Sequence, residues 1–271
     1  MKKFIYMITG GLIVAHLMSC DLFQIDNYDE PAETVKGEVV DVATGERVLT
    51  DQHSTGIRIR LRELSWTETA IPDNFDFWCM KEGVFQNTKV FKGHYNVRLD
   101  GPFIPLVRLN QQGDTLVDES KYIDIKGVTS IKVEVQPFLK IEWVGEPTVQ
   151  EGKITASFRI TRAVSPEEFK KKIEPMGGYN DNFLNIYEIY LFVSETPYVG
   201  YRDGRTSYSV RQLINNDSFE SEFGKTQTIT SNGIYPKGRT VFVRIGANIN
   251  YMTEGVRRYN YNEAKRIDIP N

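Results

Sequence analysis

The chain has 271 residues, of which 40% are hydrophobic and 25% are charged, a composition typical of a globular protein rather than a disordered one. With 33 basic and 36 acidic residues its net charge is −3, which excludes a protein whose main task is to bind the nucleic acid backbone. Two cysteines and three histidines supply few ligands for a transition metal, so neither a metal nor another cofactor is expected.

Residues 1–19 are predicted to be a lipoprotein signal peptide. The basic start is followed by an apolar stretch, residues 4–17, that is too short for a transmembrane helix. The stretch ends in Leu17-Met18-Ser19-Cys20, which resembles a bacterial lipobox. The resemblance implies acylation of Cys20, and two or more acyl chains anchor a protein stably in a bilayer. The alternative is a secretory signal followed by a chance cysteine.

Residues 20–35 are predicted to be a polar tether whose carboxylates disfavour tight contact with anionic lipid. Cys79 is then the only cysteine besides the anchor, so no intramolecular disulfide is expected. Its alternation with Phe75 and Phe77 predicts a buried thiol on the inner face of a strand. The alternative is a catalytic cysteine paired with a histidine, His53 or His94.

The first predicted domain, residues 36–137, is a β-sandwich. After an opening strand at 36–42, residues 57–62 alternate so that Ile57, Ile59 and Leu61 point inward and three arginines point outward. The arginine row predicts a solvated sheet face rather than a phosphate site. Further strands are predicted at 74–80, 83–92, 94–99, 103–109, 114–117, 121–125 and 130–136, and Pro137 ends the domain.

The second predicted domain, residues 138–271, is also a β-sandwich, with strands at 139–143, 154–160, 185–194, 239–249 and 264–269. Ser165-Pro166-Glu167-Glu168 is a capping box with proline at the first helical position, so one helix is expected before Pro175. Short strands separated by Gly, Pro and Asn turns favour an all-β fold of two β-sandwiches in tandem with one short helix.

Three segments of the first domain resemble carboxypeptidase-regulatory-like (transthyretin-like) domains. Gly37–Asp41 with Thr44–Glu46 looks like the first strand and turn of that fold. Glu82–Phe85 and Phe91–Val97 look like a small turn before an apolar strand and the Gly-x-Tyr start of the next strand.

A wider set of features resembles a family of Bacteroidota outer-membrane lipoproteins with an immunoglobulin- or fibronectin-like second domain. They are Cys20–Phe23, Asp26–Pro31, Phe85–Lys89, Val135–Leu139, Val241–Ala247 and Arg258–Tyr261. The family is similar to accessory lipoproteins of starch-utilisation-type loci. The resemblance implies a protein anchored in the outer membrane, at the cell surface rather than the periplasmic face. It also implies that the protein's partners are a TonB-dependent transporter and the partner lipoprotein of that transporter. The resemblance assigns no chemical reaction to the protein.

Aromatic residues are the remaining functional signal, because the apolar C–H face of a sugar stacks on Trp or Tyr rings. The candidate glycan contacts are Trp66, Trp78, Tyr198 and Tyr201. For each of them the alternative is packing against a neighbouring strand, and Trp143 is assigned to the core or to the domain interface.

These features predict that the protein is a lipid-anchored accessory protein that assists glycan binding or uptake beside the transporter. One alternative is a purely structural transporter subunit without a ligand of its own. The other is an enzyme, which is disfavoured because two small sandwiches rarely form the cleft that a pair of glycosidase carboxylates needs.

Overall fold

The computed structural model describes residues 29–65, 73–204 and 206–271. The signal peptide, the lipidation residue Cys20 and the candidate Trp66 therefore lie outside the described residues. Within these ranges the protein is almost entirely β, with one α-helix and two short 3-10 turns. None of the described helices is long and apolar enough to cross a bilayer.

The first sandwich consists of strands β1 to β9. They are β1 (Glu33–Asp41), β2 (Arg58–Glu63), β3 (Asn74–Trp78), β4 (Val84–Val90), β5 (Gly93–Asp100), β6 (Val107–Leu109), β7 (Thr115–Asp118), β8 (Lys121–Ile125) and β9 (Val128–Val135). One sheet has the order β4-β1-β9 and the other has the order β3-β2-β5-β8, while β6 and β7 form a separate hairpin. β1 runs antiparallel to β4 and parallel to β9.

The core of the first sandwich lies between its two sheets. Val39 and Val133 of one sheet and Leu61 and Val97 of the other are fully buried in one hydrophobic cluster. Because successive side chains of a strand point to opposite faces, Ile59 and Leu61 reach this core while the intervening arginines do not. The inward face predicted for β2 is confirmed.

The second sandwich consists of strands β10 to β18 and helix α1. They are β10 (Leu139–Trp143), β11 (Thr148–Gln150), β12 (Lys153–Arg162), α1 (Pro166–Ile173), β13 (Ile186–Ser194), β14 (Val210–Leu213), β15 (Thr226–Thr230), β16 (Thr240–Ile249), β17 (Asn260–Tyr261) and β18 (Lys265–Asp268). β12 pairs with β10, β11 and β15 in one sheet. In the other sheet, β13 lies between β14 and β16, and β16 also pairs with β17 and β18.

Helix α1 closes one side of the second core. Ser165 caps it, since its hydroxyl accepts a hydrogen bond from the Glu168 N–H at 3.1 Å, and Pro166 occupies the first turn. Phe169 and Ile173 lie one turn apart on the helix and are buried in the same cluster as strands β12, β13 and β16. The predicted helix and its serine cap are confirmed, and a 3-10 turn follows over Glu174–Met176. The Glu168 carboxylate does not complete the predicted capping box but accepts a hydrogen bond from Gln136 Nε2 at 2.8 Å.

The two sandwiches meet at the loop between β1 and β2, residues 42–57. Leu49 of this loop packs against a third hydrophobic cluster on the second sandwich, formed by Phe192, Val199, Tyr259 and Tyr261. The contact therefore has an apolar centre contributed mainly by aromatic rings of the second sandwich.

Polar groups of the second sandwich also hold the backbone of this loop. Arg258 Nη1 donates hydrogen bonds to the carbonyl oxygens of Ser54 and Gly56 at 2.7 and 2.6 Å. The Tyr261 hydroxyl donates to Asp51 Oδ2 at 3.0 Å. A side chain at Gly56 would place its Cβ 2.1 Å from the Asp51 carbonyl oxygen, so the tight loop requires glycine there.

Some predicted elements differ from the structure. The strand predicted at 103–109 begins only at Val107, because Phe103 and Ile104 are buried in a connecting segment instead. Four strands of the second sandwich, β11, β14, β15 and β17, were not predicted from the sequence. The first three are rich in polar residues, β17 has only two residues, and all four are short and pair at the borders of their sheets.

Candidate ligand-binding face

The outer surface of the β3-β2-β5-β8 sheet carries a continuous set of polar and aromatic side chains, which we call the polar face. Strand register places them in rows. Trp78 lies beside Arg58 and Asp100, and Asn74 lies in the row of Arg62, Asn96 and Tyr122. The full set is Asn74, Asp76, Trp78, Arg58, Arg60, Arg62, His94, Asn96, Arg98, Asp100, Tyr122 and Asp124.

Three arginines of this face, Arg58, Arg60 and Arg98, are engaged in ion pairs. Arg60 forms a bidentate pair with Asp76, with both N···O distances at 2.7 Å, and Arg58 Nη2 lies 2.5 Å from Asp100 Oδ2. Arg58 and Arg60 are also mostly shielded from solvent. The predicted outward direction of the arginine row is confirmed, but Arg58 and Arg60 are paired and only partly solvated, because neighbouring strands supply carboxylates at matching register positions.

These ion pairs stabilise the charged forms of the arginines and carboxylates on the polar face. The hydrogen bonds from Arg60 hold the pKa of Asp76 below its usual range, and the same bonds raise the pKa of Arg60. The second sandwich also contributes, since Glu254 Oε1 accepts a hydrogen bond from Arg98 Nη2 at 2.7 Å. The charged groups of the face are thus held in place before any ligand arrives.

Two exposed aromatic rings stand at opposite corners of the face. Trp78 is 40% exposed on edge strand β3, and Tyr122 is 57% exposed on edge strand β8. From the strand register and ordinary sheet spacings, they lie about 14 Å apart across the strands and about 13 Å apart along them. Between the rings lie the ion-paired arginines and carboxylates.

Tyr122 is held by its neighbours without being covered. Its hydroxyl donates to Asp118 Oδ2 at 3.1 Å, and its ring stacks near that of His94 with centroids 6.5 Å apart. His94 Nδ1 in turn lies 2.7 Å from Asp124 Oδ1. The ring can therefore offer a flat apolar surface in one orientation.

The chemistry of the face suits a neutral, polyhydroxylated ligand. Guanidinium groups donate hydrogen bonds and carboxylates accept them, so hydroxyl groups can meet both kinds of partner. The face has four arginines and four nearby carboxylates, which are those of Asp76, Asp100, Asp124 and Glu254. Its net charge is therefore close to zero, and the face does not favour an ionic ligand of either sign. Exposed aromatic rings supply the apolar surface.

The other candidate aromatics lie on the second sandwich. Tyr198 is 57% exposed on the segment between β13 and β14. Tyr201 is half-buried, with its ring 5.4 Å from Tyr259, and its backbone N–H donates to Asp51 Oδ2 at 3.0 Å. Tyr201 thus takes part in the contact between the sandwiches, whereas Trp78 belongs to the polar face.

Cys79 lies on the inner side of the first sandwich and is fully buried. Burial raises the pKa of its thiol far above the usual value, so the sulfur remains a protonated thiol and a poor nucleophile. His94 lies on the opposite side of the same sheet, on the polar face. This geometry favours the buried-thiol interpretation over a catalytic cysteine paired with His94.

Trp143 packs against the core of the second sandwich and donates from Nε1 to the Glu263 carbonyl oxygen at 2.8 Å. This agrees with its assignment to the core or interface. Within residues 29–65, 73–204 and 206–271, no group of three or more His, Cys, Asp or Glu side chains is arranged to hold a metal.

Most residues of the polar face were not predicted as site residues from the sequence, and Tyr122 and Glu254 show why. Tyr122 could have been found, because Ile123 and Ile125 alternate with it and point inward. Glu254 could not, because it reaches the face from a turn of the second sandwich, 156 positions away from Arg98.

The fold and the polar face define the class of the molecule as a tandem β-sandwich protein with a polar and aromatic sheet surface. A solved DUF3823 family protein from Bacteroides uniformis is 54% identical, covers 89% of this chain and 100% of its own, and superimposes with a TM-score of 0.86. The chain therefore belongs to the DUF3823 family.

More distant solved structures share the fold. A Bacteroides uniformis protein named "putative carbohydrate binding protein" is 20% identical, with a TM-score of 0.60 over 88% of this chain and 100% of its own. A DUF3823 family protein from Parabacteroides merdae is 17% identical, with a TM-score of 0.59 over 89% of this chain and 100% of its own. No protein-family model and no curated protein matches the chain.

Proposed function

We propose that this protein is a lipid-anchored outer-membrane accessory protein that binds glycans through its polar face, beside a TonB-dependent transporter at the cell surface. The observation that carries the proposal is the pairing of two exposed rings, Trp78 and Tyr122, with preorganised arginine–carboxylate pairs on one sheet surface. The name of the Bacteroides uniformis protein that shares this fold is compatible with it.

The physical argument rests on how sugars are recognised. Apolar C–H faces stack on aromatic rings, and each hydroxyl can both accept from an arginine and donate to a carboxylate. Because the arginines and carboxylates are already bonded to one another, little side-chain entropy is lost when a ligand replaces water on them. A flat sheet face of this kind suits an extended chain better than a small substrate enclosed on all sides.

Glycan binding is tested with residues 21–271 as a soluble protein on an array of polysaccharides and oligosaccharides. We expect reproducible binding that is lost in a Trp78→Ala/Tyr122→Ala double variant and retained in Tyr198→Ala, an exposed tyrosine of the second sandwich. Absence of binding to every glycan would favour the purely structural transporter subunit. Loss of binding in Tyr198→Ala alone would move the site to the second sandwich.

Membrane anchoring is tested separately in cells. Wild-type protein should incorporate labelled palmitate and fractionate with the outer membrane, whereas Cys20→Ala should do neither, because acylation requires the cysteine thiol. Label that still enters the Cys20→Ala protein would refute the proposed anchor. Protection of the wild-type protein from protease added to intact cells would place it on the periplasmic face.

A further inference from the structure

A concave region lies between the two sandwiches, away from the flat polar face. It is a cavity of about 450 Å³, here called the interdomain cleft, lined on one side by Glu46, Leu49 and Glu82 and on the other by Arg244 and Glu263. This volume falls within the range of small-molecule sites, which often occur at domain contacts. Each sandwich contributes one wall of the cleft, so the cleft forms only when the two sandwiches are packed together.

Arg244 is the unusual group in this cleft, because it is fully buried without a carboxylate partner within hydrogen-bonding distance. Nε donates to the Asn262 carbonyl at 2.7 Å, Nη1 to the Thr50 carbonyl at 2.6 Å and Nη2 to the Lys81 carbonyl at 3.4 Å. Its guanidinium also lies 4.3 Å from the centre of the Tyr261 ring.

A guanidinium carries five N–H donors, and in the described part of the chain these three carbonyls are the hydrogen-bond acceptors of Arg244. Because Arg244 is only 1% exposed, these bonds fix the wall of the cleft, and the donors that a ligand can reach are those of Arg47 and Lys81, which are partly exposed. Burial lowers the pKa of Arg244 to about 10, so the group stays charged at neutral pH.

The rest of the lining indicates what kind of acceptor fits. Glu46, Glu82 and Glu263 balance the positive charges of Arg47, Lys81 and Arg244, and Lys81 Nζ lies only 2.7 Å from Glu82 Oε1. An anion would meet three carboxylates as it approached Arg244. Leu49 and Ala264 add an apolar part to the wall.

We propose that the interdomain cleft is a second binding site, which accepts one neutral sugar residue through Arg47 and Lys81 as donors and Glu82 and Glu263 as acceptors. Hydroxyl groups satisfy both kinds of partner without bringing a net charge into the cleft, and the C–H face of the ring can lie against Leu49 and Ala264. The site does not require a ligand on the polar face.

The test uses residues 21–271 and saturation-transfer NMR with glucose, galactose, mannose and xylose as separate probes at millimolar concentration. We expect saturation transfer from the protein to at least one of the four sugars. Ala264→Trp fills the cleft, and Glu82→Gln keeps its shape but removes a carboxylate acceptor, so each should weaken binding at least about tenfold. Glu119→Gln, an exposed carboxylate outside the cleft, is the matched control and should bind like the parent.

Trp78→Ala separates this inference from the proposed function. Monosaccharide binding that survives Trp78→Ala but not Glu82→Gln supports the cleft even if no glycan binds the polar face. Binding lost in Trp78→Ala and unchanged in both cleft variants would overturn the cleft and leave the polar face standing. Absence of transfer to all four sugars, or stronger transfer to glucuronate than to glucose, would also overturn the proposal.

Discussion

The guanidinium groups at the contact between the sandwiches differ from those on the polar face in what they bind. Arg258, which is buried at the contact, donates to the neutral carbonyls of Ser54 and Gly56. Arg58 and Arg60 on the face pair with carboxylates and keep some contact with solvent. The same side chain thus fixes a backbone conformation in one region and prepares a surface in the other.

The difference has an energetic consequence. A buried guanidinium bonded to carbonyls cannot be removed without leaving those carbonyls unpaired, so it should matter for stability. An ion pair near the surface contributes little to stability because solvent screens it, so its role there is to position groups for a ligand. The following predictions test this contrast.

The largest effect is expected when the contact is removed altogether by separating residues 30–137 from 138–271. The two main hydrophobic clusters are distinct, so each fragment should fold into a β-rich unit by circular dichroism. Each should melt below the intact chain, since Ile104 of the first fragment packs into the second cluster. If neither fragment folds while the intact chain does, the proposed boundary near Pro137 is wrong.

Within the intact chain, Arg258→Met should cost about 3 kcal/mol of unfolding free energy, because the buried carbonyl of Gly56 and the carbonyl of Ser54 lose their donor. Urea denaturation measures this loss. Arg60→Met, which removes the ion pair with Asp76 on the polar face, is the matched control and should change the unfolding free energy by less than about 1 kcal/mol. Equal losses in the two variants would contradict the contrast.

Trp78→Ala should weaken binding of a confirmed glycan by about 2 kcal/mol, roughly thirtyfold, with little change in melting temperature. Its exposed ring contributes little to the core, whereas the half-buried ring of Tyr201 packs near Tyr259. Tyr201→Ala should therefore lower the melting temperature. A melting temperature that falls more in Trp78→Ala than in Tyr201→Ala would assign Trp78 to the core.

The smallest effect concerns pH. The pKa of Asp76 is lowered by its hydrogen bonds from Arg60, so its ion pair stabilises the fold above the unfolded-state pKa of about 3.9. This stabilisation is lost as the pH falls through the lower folded-state value. Asp76→Asn should therefore flatten the decline in stability below about pH 4. An unchanged acid profile would show that the pair adds nothing to stability.

The sequence predicts elements whose signal is local. The alternation in β2 and the helix cap at Ser165 each depend on residues adjacent in the chain, and both occur as predicted. Strands β14 and β15 lack such a signal, because they are short and partly polar and exist through pairing with β13 and β12. Their formation depends on partners that are distant in sequence.

The features of the candidate site also divide into those with a local sequence signal and those that depend on distant residues. The outward direction of Trp78 follows from its phase relative to Phe77 and Cys79, and the ring is indeed exposed. The ion pairing of Arg58 and Arg60 depends on which strands become neighbours, so a pattern read along one strand describes the arginines as solvated. The interdomain cleft depends on how the two sandwiches pack against each other and has no local signature.

The position of β1 has a mechanical consequence. It is the central strand of its sheet, with hydrogen bonds to β4 on one side and to β9 on the other. Because these bonds lie across the strand, a pull on a membrane tether joined before Glu33 would load both ladders in shear, so that many bonds would share the force. β1 ends beside the second sandwich, and β9 runs parallel to it into that sandwich. A tethered molecule would therefore carry tension along the first sandwich while the second sandwich projects away from the point of attachment.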